Sequence, residues 1–231
     1  MKIPKRLGII WIGQESKRPD NFIQTWKDKN PAWEFTLYDN DTLNGRTWKN
    51  QGIIDQYLKE KRFPGVADVM RYELLYEYGG LIAPADSICL EPIGRLMTAP
   101  AVAVYENETV RPGFISPLYA SVPKGKFVET LINNLPDRPP IAPPPYRTRE
   151  RPSRAPVQVT GNKYMKRIVE NYKQLTGRDI EDDLKIKPSY VMNPIHYTGH
   201  RYTGKGKVYA VQQWGATSEA GIGIKKYEWS K

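Results

Sequence analysis

Apolar positions along this chain fall into short unbroken runs and helically spaced sets, and their order predicts alternating strands and helices. Leu7-Gly8-Ile9-Ile10-Trp11-Ile12 is a continuous apolar run, the pattern of a central strand covered on both faces. Gly13 follows, where the backbone can turn closely past a ligand. Between Pro19 and Lys29, Phe22, Ile23 and Trp26 recur at spacings of three and four, which predicts a helix. Asn30-Pro31 ends it. Trp33 to Tyr38 alternates in part and predicts a second strand, and Gln51 to Arg62 gathers Ile53, Ile54, Tyr57 and Leu58 on one helical face. This β-α-β-α opening predicts a Rossmann-like α/β domain with a mostly parallel central sheet.

The stretch Gly65 to Leu90 organises the chain. A helix is expected from a start after Pro64 through Tyr78. Gly79-Gly80 breaks it, Leu81-Ile82-Ala83 forms a short apolar strand, Pro84-Ala85-Asp86 turns, and Ile88-Cys89-Leu90 is a second apolar piece. In open α/β folds the ligand crevice lies outside the carboxyl ends of the strands, so Asp86 stands where a ligand would be met. Beyond it, Ala101 to Tyr105 reads as a strand, Phe114 to Ser121 as strand or loop, and Lys124 to Leu135 as a helix. Val159-Thr160-Gly161-Asn162 opens a helix expected to run to about Leu175, with Thr160 as its N-cap. From Pro136 to Pro156, eight prolines and five arginines follow without periodicity, a composition that excludes helix or central strand. We read that segment as an extended loop within a single domain of residues 1–231, either a solvated insertion or an acceptor-side lid carrying Arg147, Arg149, Arg151 and Arg154.

Ala-Asp-x-x-Arg-Tyr-x-x-Leu-x-x-x-Gly-Gly, from Ala67 to Gly80, followed by the acid-bearing turn at Asp86, resembles the sugar-binding region of glycosyltransferase family 32. Ile10-Trp11-Ile12-Gly13, the Asn30-Pro31-Ala32-Trp33-Glu34 segment before Asp39, the Pro188, Tyr190 and Pro194 segment, and Val208 to Trp214 are similar to further parts of that family's pattern. The resemblance implies a GT-A-like Rossmann-type fold and a retaining transfer of a hexose from a nucleotide-diphosphate sugar, UDP-linked by expectation, to a glycan or other hydroxyl acceptor. In the family the turn reads Asp-x-Asp and its acids hold a divalent metal and the donor. Here Pro84 replaces the first acid, and Gln212 and Gln213 stand where histidines are usual.

The resemblance assigns Asp68 and Arg71 to the donor sugar, Trp11 to the nucleotide base and Asp86 to Mn²⁺ or Mg²⁺. The residues themselves leave alternatives: Trp11 is equally a core ring, and Asp68 and Arg71, three apart, are also an ordinary ion pair on one helical face. Hard cations prefer several oxygen ligands, so a single carboxylate implies a weakly held metal. Arg201, Lys205 and Lys207, in the Gly199 to Lys207 loop, either bring cationic charge to the leaving group or form a solvated turn. The donor-binding set expected from the resemblance is Trp11, Ile12, Gly13, Tyr38, Asp68, Arg71, Ala83, Pro84, Ala85, Asp86, Lys205 and Trp214, with Asp86 and Arg71 as catalytic residues and Asp86 as metal ligand. Catalysis is assigned to positioning and leaving-group electrostatics.

Charge widens the choice of partners. The 231 residues carry 35 Lys+Arg against 25 Asp+Glu, a formal net charge of +10, which favours phosphorylated or polyanionic partners. A sugar-nucleotide binder impaired in catalysis, and a basic nucleic-acid-binding protein, are the alternatives. The basic residues are scattered and no nucleic-acid motif occurs, so no specific nucleic acid is expected. The single cysteine, Cys89, excludes an intrachain disulfide. No apolar run approaches the roughly 18 residues of a membrane span, and a soluble, cytoplasmic protein is expected. His196 and His200 have neither cysteines nor a third histidine to complete a metal set.

Overall fold

The computed structural model describes residues 2–136 and 156–214. Its elements are β1 (Arg6–Ile10), α1 (Asp20–Lys29), β2 (Glu34–Tyr38), α2 (Asn40–Asn44), α3 (Gln51–Lys59), α4 (Phe63–Tyr78), β3 (Gly80–Ala83), β4 (Ser87–Cys89), β5 (Ala101–Asn107) and β6 (Arg111–Ser121). After these come α5 (Lys126–Asn133), α6 (Pro156–Val159), α7 (Asn162–Glu170), α8 (Tyr172–Thr176), α9 (Ile180–Asp183), β7 (Lys185–Lys187) and β8 (Ala210–Gln212). Six strands form one sheet in the order β2-β1-β3-β6-β5-β7, and β4 pairs with β8 in a separate ribbon. In the sheet β1 pairs in parallel with β2 and β3, and β5 with β7, while β6 runs antiparallel to both β3 and β5.

The apolar run of β1 is explained by burial on both faces. Ile10 and Ile82 join one apolar cluster with Tyr57, Val69, Met70 and Tyr119, under α3 and α4. Leu7, Ile9, Leu81 and Ala83 point the other way, into a second cluster with Trp26 of α1. Alternation along each strand thus divides neighbouring residues between two cores.

α4 is buried almost all round, from Gly65 through Leu75 with the exception of Ala67, as expected of a helix enclosed by its neighbours. Its Glu73 accepts from the backbone N–H groups of Lys49 and Asn50, at 2.8 Å each, and so satisfies donors at the start of α3 that have no side-chain cap of their own. The helix ends at Gly79 and Gly80, with φ of 66° and 95°. A Cβ on Gly80 would stand 2.4 Å from the Arg6 carbonyl oxygen; only glycine lets α4 fold straight back into β3 alongside β1.

Several expectations change in detail. The helix expected from Val159 to about Leu175 starts only at Asn162 and is interrupted at Asn171, giving α7 and α8, while Val159 ends the short α6; Thr160 does not cap. Its hydroxyl donates to Asp68 Oδ2 at 3.0 Å and lies 3.2 Å from the Pro156 carbonyl oxygen, and Gly161 takes the cap position of α7. The closing strand contracts to the three residues of β8 and lies outside the main sheet. β7 and the five-residue α2 were not anticipated; α2 is held by a capping box between Asp39 and Thr42. The segment from Asp137 to Ala155, with Arg147, Arg149, Arg151 and Arg154, lies outside the described residues.

Candidate active site

Strand direction brings the ends of β1, β3 and β5 and the start of β6 to the same edge of the sheet. Between β1 and β3 the strand order reverses, since β2 lies on the other side of β1; such a switch point opens a crevice at the carboxyl edge. Ile9 pairs with Ala83, so Trp11, Ile12 and Gly13 leave one strand beside the point where Pro84, Ala85 and Asp86 leave its neighbour.

The β1 end is clamped. Trp11 donates its backbone N–H to the Tyr38 carbonyl at 2.9 Å. Gly13, at φ 121°, is gripped by the Asn40 side chain, which accepts from Gly13 N at 3.1 Å and donates to Gly13 O at 2.9 Å. The Phe63 ring of α4 is 3.6 Å from where a Gly13 Cβ would stand, which sets the first turn of α4 at this edge. Ile12 is buried in the α4-side cluster. Trp11 joins neither cluster; it is half-buried, and its Nε1–H donates to Gln14 O at 3.0 Å. Alternation thus sends Ile12 into the core and leaves the Trp11 ring partly accessible. Tyr38 is half-buried and packs under the α4-side cluster, where burial pushes its hydroxyl pKa up.

Asp68 and Arg71 are joined, and they are not on the surface. Arg71 Nη1 donates to Asp68 Oδ1 at 3.1 Å, with both side chains about nine-tenths enclosed. Thr160 Oγ1 donates to the other carboxylate oxygen, and the Arg71 guanidinium carbon lies 5.7 Å from the Tyr119 ring centroid. Burial pushes the Asp68 pKa up to about 6, against the lowering influence of Arg71 and Thr160. Arg71 Nε is buried without a hydrogen-bond partner. A buried guanidinium N–H left unpaired is costly.

The Pro84–Asp86 turn is pinned from both sides. Ser87 Oγ donates to Pro84 O at 2.6 Å, and Trp26 Nε1 of α1 donates to Ser87 O at 3.0 Å. From the other side Gln213 N–H donates to Asp86 O at 2.8 Å, and Gln212 Nε2 donates to Asp86 Oδ1 at 2.6 Å. Gln212, one of the two glutamines at positions where the resemblance led us to expect histidine, thus meets Asp86 as an amide. Ala83 and Pro84 are buried and Asp86 is half-buried. Asp86 supplies one carboxylate, and no group of three His, Cys, Asp or Glu able to hold a metal occurs among the described residues. This donor set fits only an ion whose remaining ligands come from substrate phosphates and water.

The basic loop is more ordered in purpose than its composition suggested. Tyr190 and Tyr202 stack at 4.3 Å between centroids. A Cβ on Gly204 or Gly206 would come within 2.2 Å of Tyr202 or Tyr190, so these glycines serve ring packing. The Gly206 N–H donates to the Tyr202 hydroxyl at 3.1 Å. Lys207 pairs with Glu91 at 3.0 Å, whereas Lys205 is exposed. Trp214 follows β8 and donates its Nε1–H to Ile195 O at 2.8 Å.

Sequence reasoning missed Glu106 and His196, which meet at 3.1 Å in full burial. A glutamate closing the apolar strand Ala101 to Tyr105 was the one available signal, because an acid there must find a partner.

Comparison with known proteins follows the same lines. Residues 16–105 match the family described as glycosyltransferase sugar-binding region containing DXD motif. Inositol phosphoceramide mannosyltransferase 1 of Schizosaccharomyces pombe (strain 972 / ATCC 24843) is 24% identical over 143 residues, which cover 58% of this chain and 43% of that protein. The chain thus spans less than half the length of that relative. Among solved structures, the PaToxG glycosyltransferase superposes with a TM-score of 0.55 at 13% identity, covering 78% of this chain and 72% of the other. No helix among the described residues is long and apolar enough to cross a membrane. Over residues 16–105 the chain is thus similar to a glycosyltransferase sugar-binding region, and it carries this region on an α/β fold shared with a glycosyltransferase of GT-A type.

Proposed function

We propose that this protein is a retaining glycosyltransferase that moves a hexose from a UDP-sugar to a hydroxyl acceptor such as a glycan. The observation that carries the reading is the buried Arg71, paired on one side with Asp68 and left with an unpartnered Nε–H. Such a donor is held in place by a carboxylate that itself accepts from Thr160, and a directional charged donor of this kind suits sugar hydroxyls. Trp11 offers a half-open ring for the base. Asp86, with Ala85 and the backbone of the turn, is assigned to the diphosphate, with Trp214, which directly follows the Gln213 bonded to the Asp86 carbonyl, beside it; the exposed Lys205 is assigned to the same ligand. Gly13 lets the β1 end pass close to the nucleotide.

Asp86 would hold a divalent ion together with the donor's phosphates; when bound, the ion neutralises the leaving diphosphate. The chain's own residues then orient the sugar through Asp68 and Arg71 and exclude water by the packing of α4. No side chain is assigned as a nucleophile, in keeping with front-face transfer.

One observation favours a second reading, a sugar-nucleotide binder without transfer: Pro84 supplies no ligand and Gln212 already occupies Asp86 Oδ1. Titration with UDP-glucose, UDP-galactose, UDP and GDP-mannose, with and without Mn²⁺, followed by donor hydrolysis, separates the two. Binding with hydrolysis supports the transferase. Binding with no hydrolysis supports the second reading, and no nucleotide-sugar binding removes both.

A further inference from the structure

The carboxyl end of β5 carries a polar cluster whose centre, Glu106 and His196, is closed to water while Arg111, Asn162 and Thr198 connect it to the surface. Glu106 accepts from Arg111 Nη1, at the start of β6, at 3.1 Å, from Asn162 Nδ2, at the start of α7, and from His196 Nε2 at 3.1 Å. A carboxylate only accepts, so the His196 proton sits on Nε2 and Nδ1 is left to meet Thr198 Oγ1, at 2.8 Å. His196 opens a tight turn, closed by a bridge between Ile195 and Arg201 and by its own N–H donating to His200 O at 2.9 Å. Trp214 is seated on that turn. Its indole N–H bonds Ile195 O, and its ring meets His196 and Tyr197 edge-on, at 5.2 and 5.4 Å between centroids. Trp214 also has φ 57°, a left-handed conformation that a bulky residue keeps only where its surroundings enforce it. Two residues earlier, at the end of β8, Gln212 is bonded to Asp86.

We propose that Glu106 and His196 are a positioning pair. They fix the 195–201 turn, the turn fixes the Trp214 ring, and Trp214 fixes the end of β8 against the Asp86 turn. The proposal rests on the reading of Trp214 and Asp86 as donor-binding residues. Both members of the pair are sealed from solvent, with side-chain exposures of 0% and 1%, so they act through Trp214 rather than on the donor. A buried, fully partnered network of this kind is rigid, and removing one partner leaves the others unpaired.

The test uses His196→Phe, which keeps a ring against Trp214 and removes the proton donor to Glu106, with Trp214→Phe defining that residue's share of the emission. In His196→Phe we expect acrylamide to quench the Trp214 share more strongly and UDP-glucose to bind about tenfold more weakly, a shift well within reach of titration. Thr198→Ala, a milder loss at Nδ1, should shift both in the same direction by less, and it keeps the test open where His196→Phe does not fold. Tyr172→Phe removes a buried hydrogen bond to Asp183 and should change neither. Parental binding and quenching in the His196 and Thr198 variants overturn the proposal, as does an equal loss in Tyr172→Phe. If the unaltered protein binds no nucleotide sugar, the donor reading falls while the quenching arm still decides whether the pair holds Trp214.

Discussion

Gln212 donates its side-chain amide to Asp86 Oδ1 at 2.6 Å, joining residues 126 positions apart in the chain. An amide nitrogen offers a metal nothing, so the one acid of this turn is shared with a hydrogen-bond donor. The consequence for metal dependence is direct. The free protein should show no Mn²⁺ binding tighter than about millimolar, since one carboxylate leaves most of the shell to water. With UDP present, Mn²⁺ should strengthen nucleotide binding modestly, and Asp86→Ala should erase that gain. Pro84→Asp should enlarge it. Calorimetry with Mn²⁺ alone, UDP alone and both together decides the matter; tight binding of Mn²⁺ alone would reveal another ligand.

Arg71→Ala should weaken UDP-sugar binding by about 1.5–3 kcal/mol, the range for a lost hydrogen bond to a charged group, while bare UDP loses far less. Equal losses for the two ligands, measured by titration, would make Arg71 a structural residue only. The same variant leaves Asp68 buried without its cation, so a fall in thermal stability is expected beside the binding effect.

Asp68 gives stability a pH dependence of defined sign. Its pKa is raised by burial from 3.8 to about 6, so between these values the folded protein binds the proton that the unfolded chain has released. Stability should therefore fall as pH rises from about 4 to 6, by roughly 3 kcal/mol at most from this group. Asp68→Asn, which does not titrate, should flatten that part of the curve. Urea midpoints of the two proteins across pH 4–7 test it, and parallel curves would show that the carboxyl is not buried in solution.

If a nucleobase lies against the half-open Trp11 ring, UDP should quench part of the tryptophan emission, and Trp11→Phe should remove that part. The comparison with the parent is needed because the chain has six tryptophans. An unchanged quench in the variant assigns the signal to another ring.

The elements legible in the sequence are those whose signal is local. β1 was readable because six apolar residues in a row admit few other solutions, and the α4–β3 junction because Gly79-Gly80 has no competing use. β7 was not, since Lys-Ile-Lys gains strand character only from pairing with Val102 to Val104 of β5. Thr160 looked like a cap because its type suits one; Asp68, 92 residues earlier, claims its hydroxyl instead. The burial of Asp68 and Arg71 was not legible: their spacing of three also suits an ordinary ion pair on one helical face, and it is the enclosure of α4 by its neighbours that buries them. His196 was set aside for lack of a metal-binding companion, while its true partner, Glu106, lies 90 positions away and leaves no spacing to recognise.

The two-stranded ribbon of β4 and β8 also has a meaning in time. Ser87 and Gln212 are register partners, so the turn that bears Asp86 acquires its second wall only when the C-terminal part of the chain has been made. During synthesis the first three strands and α4 emerge early, and contacts between distant segments form last because loop closure must precede them. A nascent chain that has reached only Tyr105 already contains α4 and still lacks the strand that completes the turn. Completion of the Asp86 turn is thus tied to a segment 126 positions downstream rather than to the most recognisable stretch of the chain.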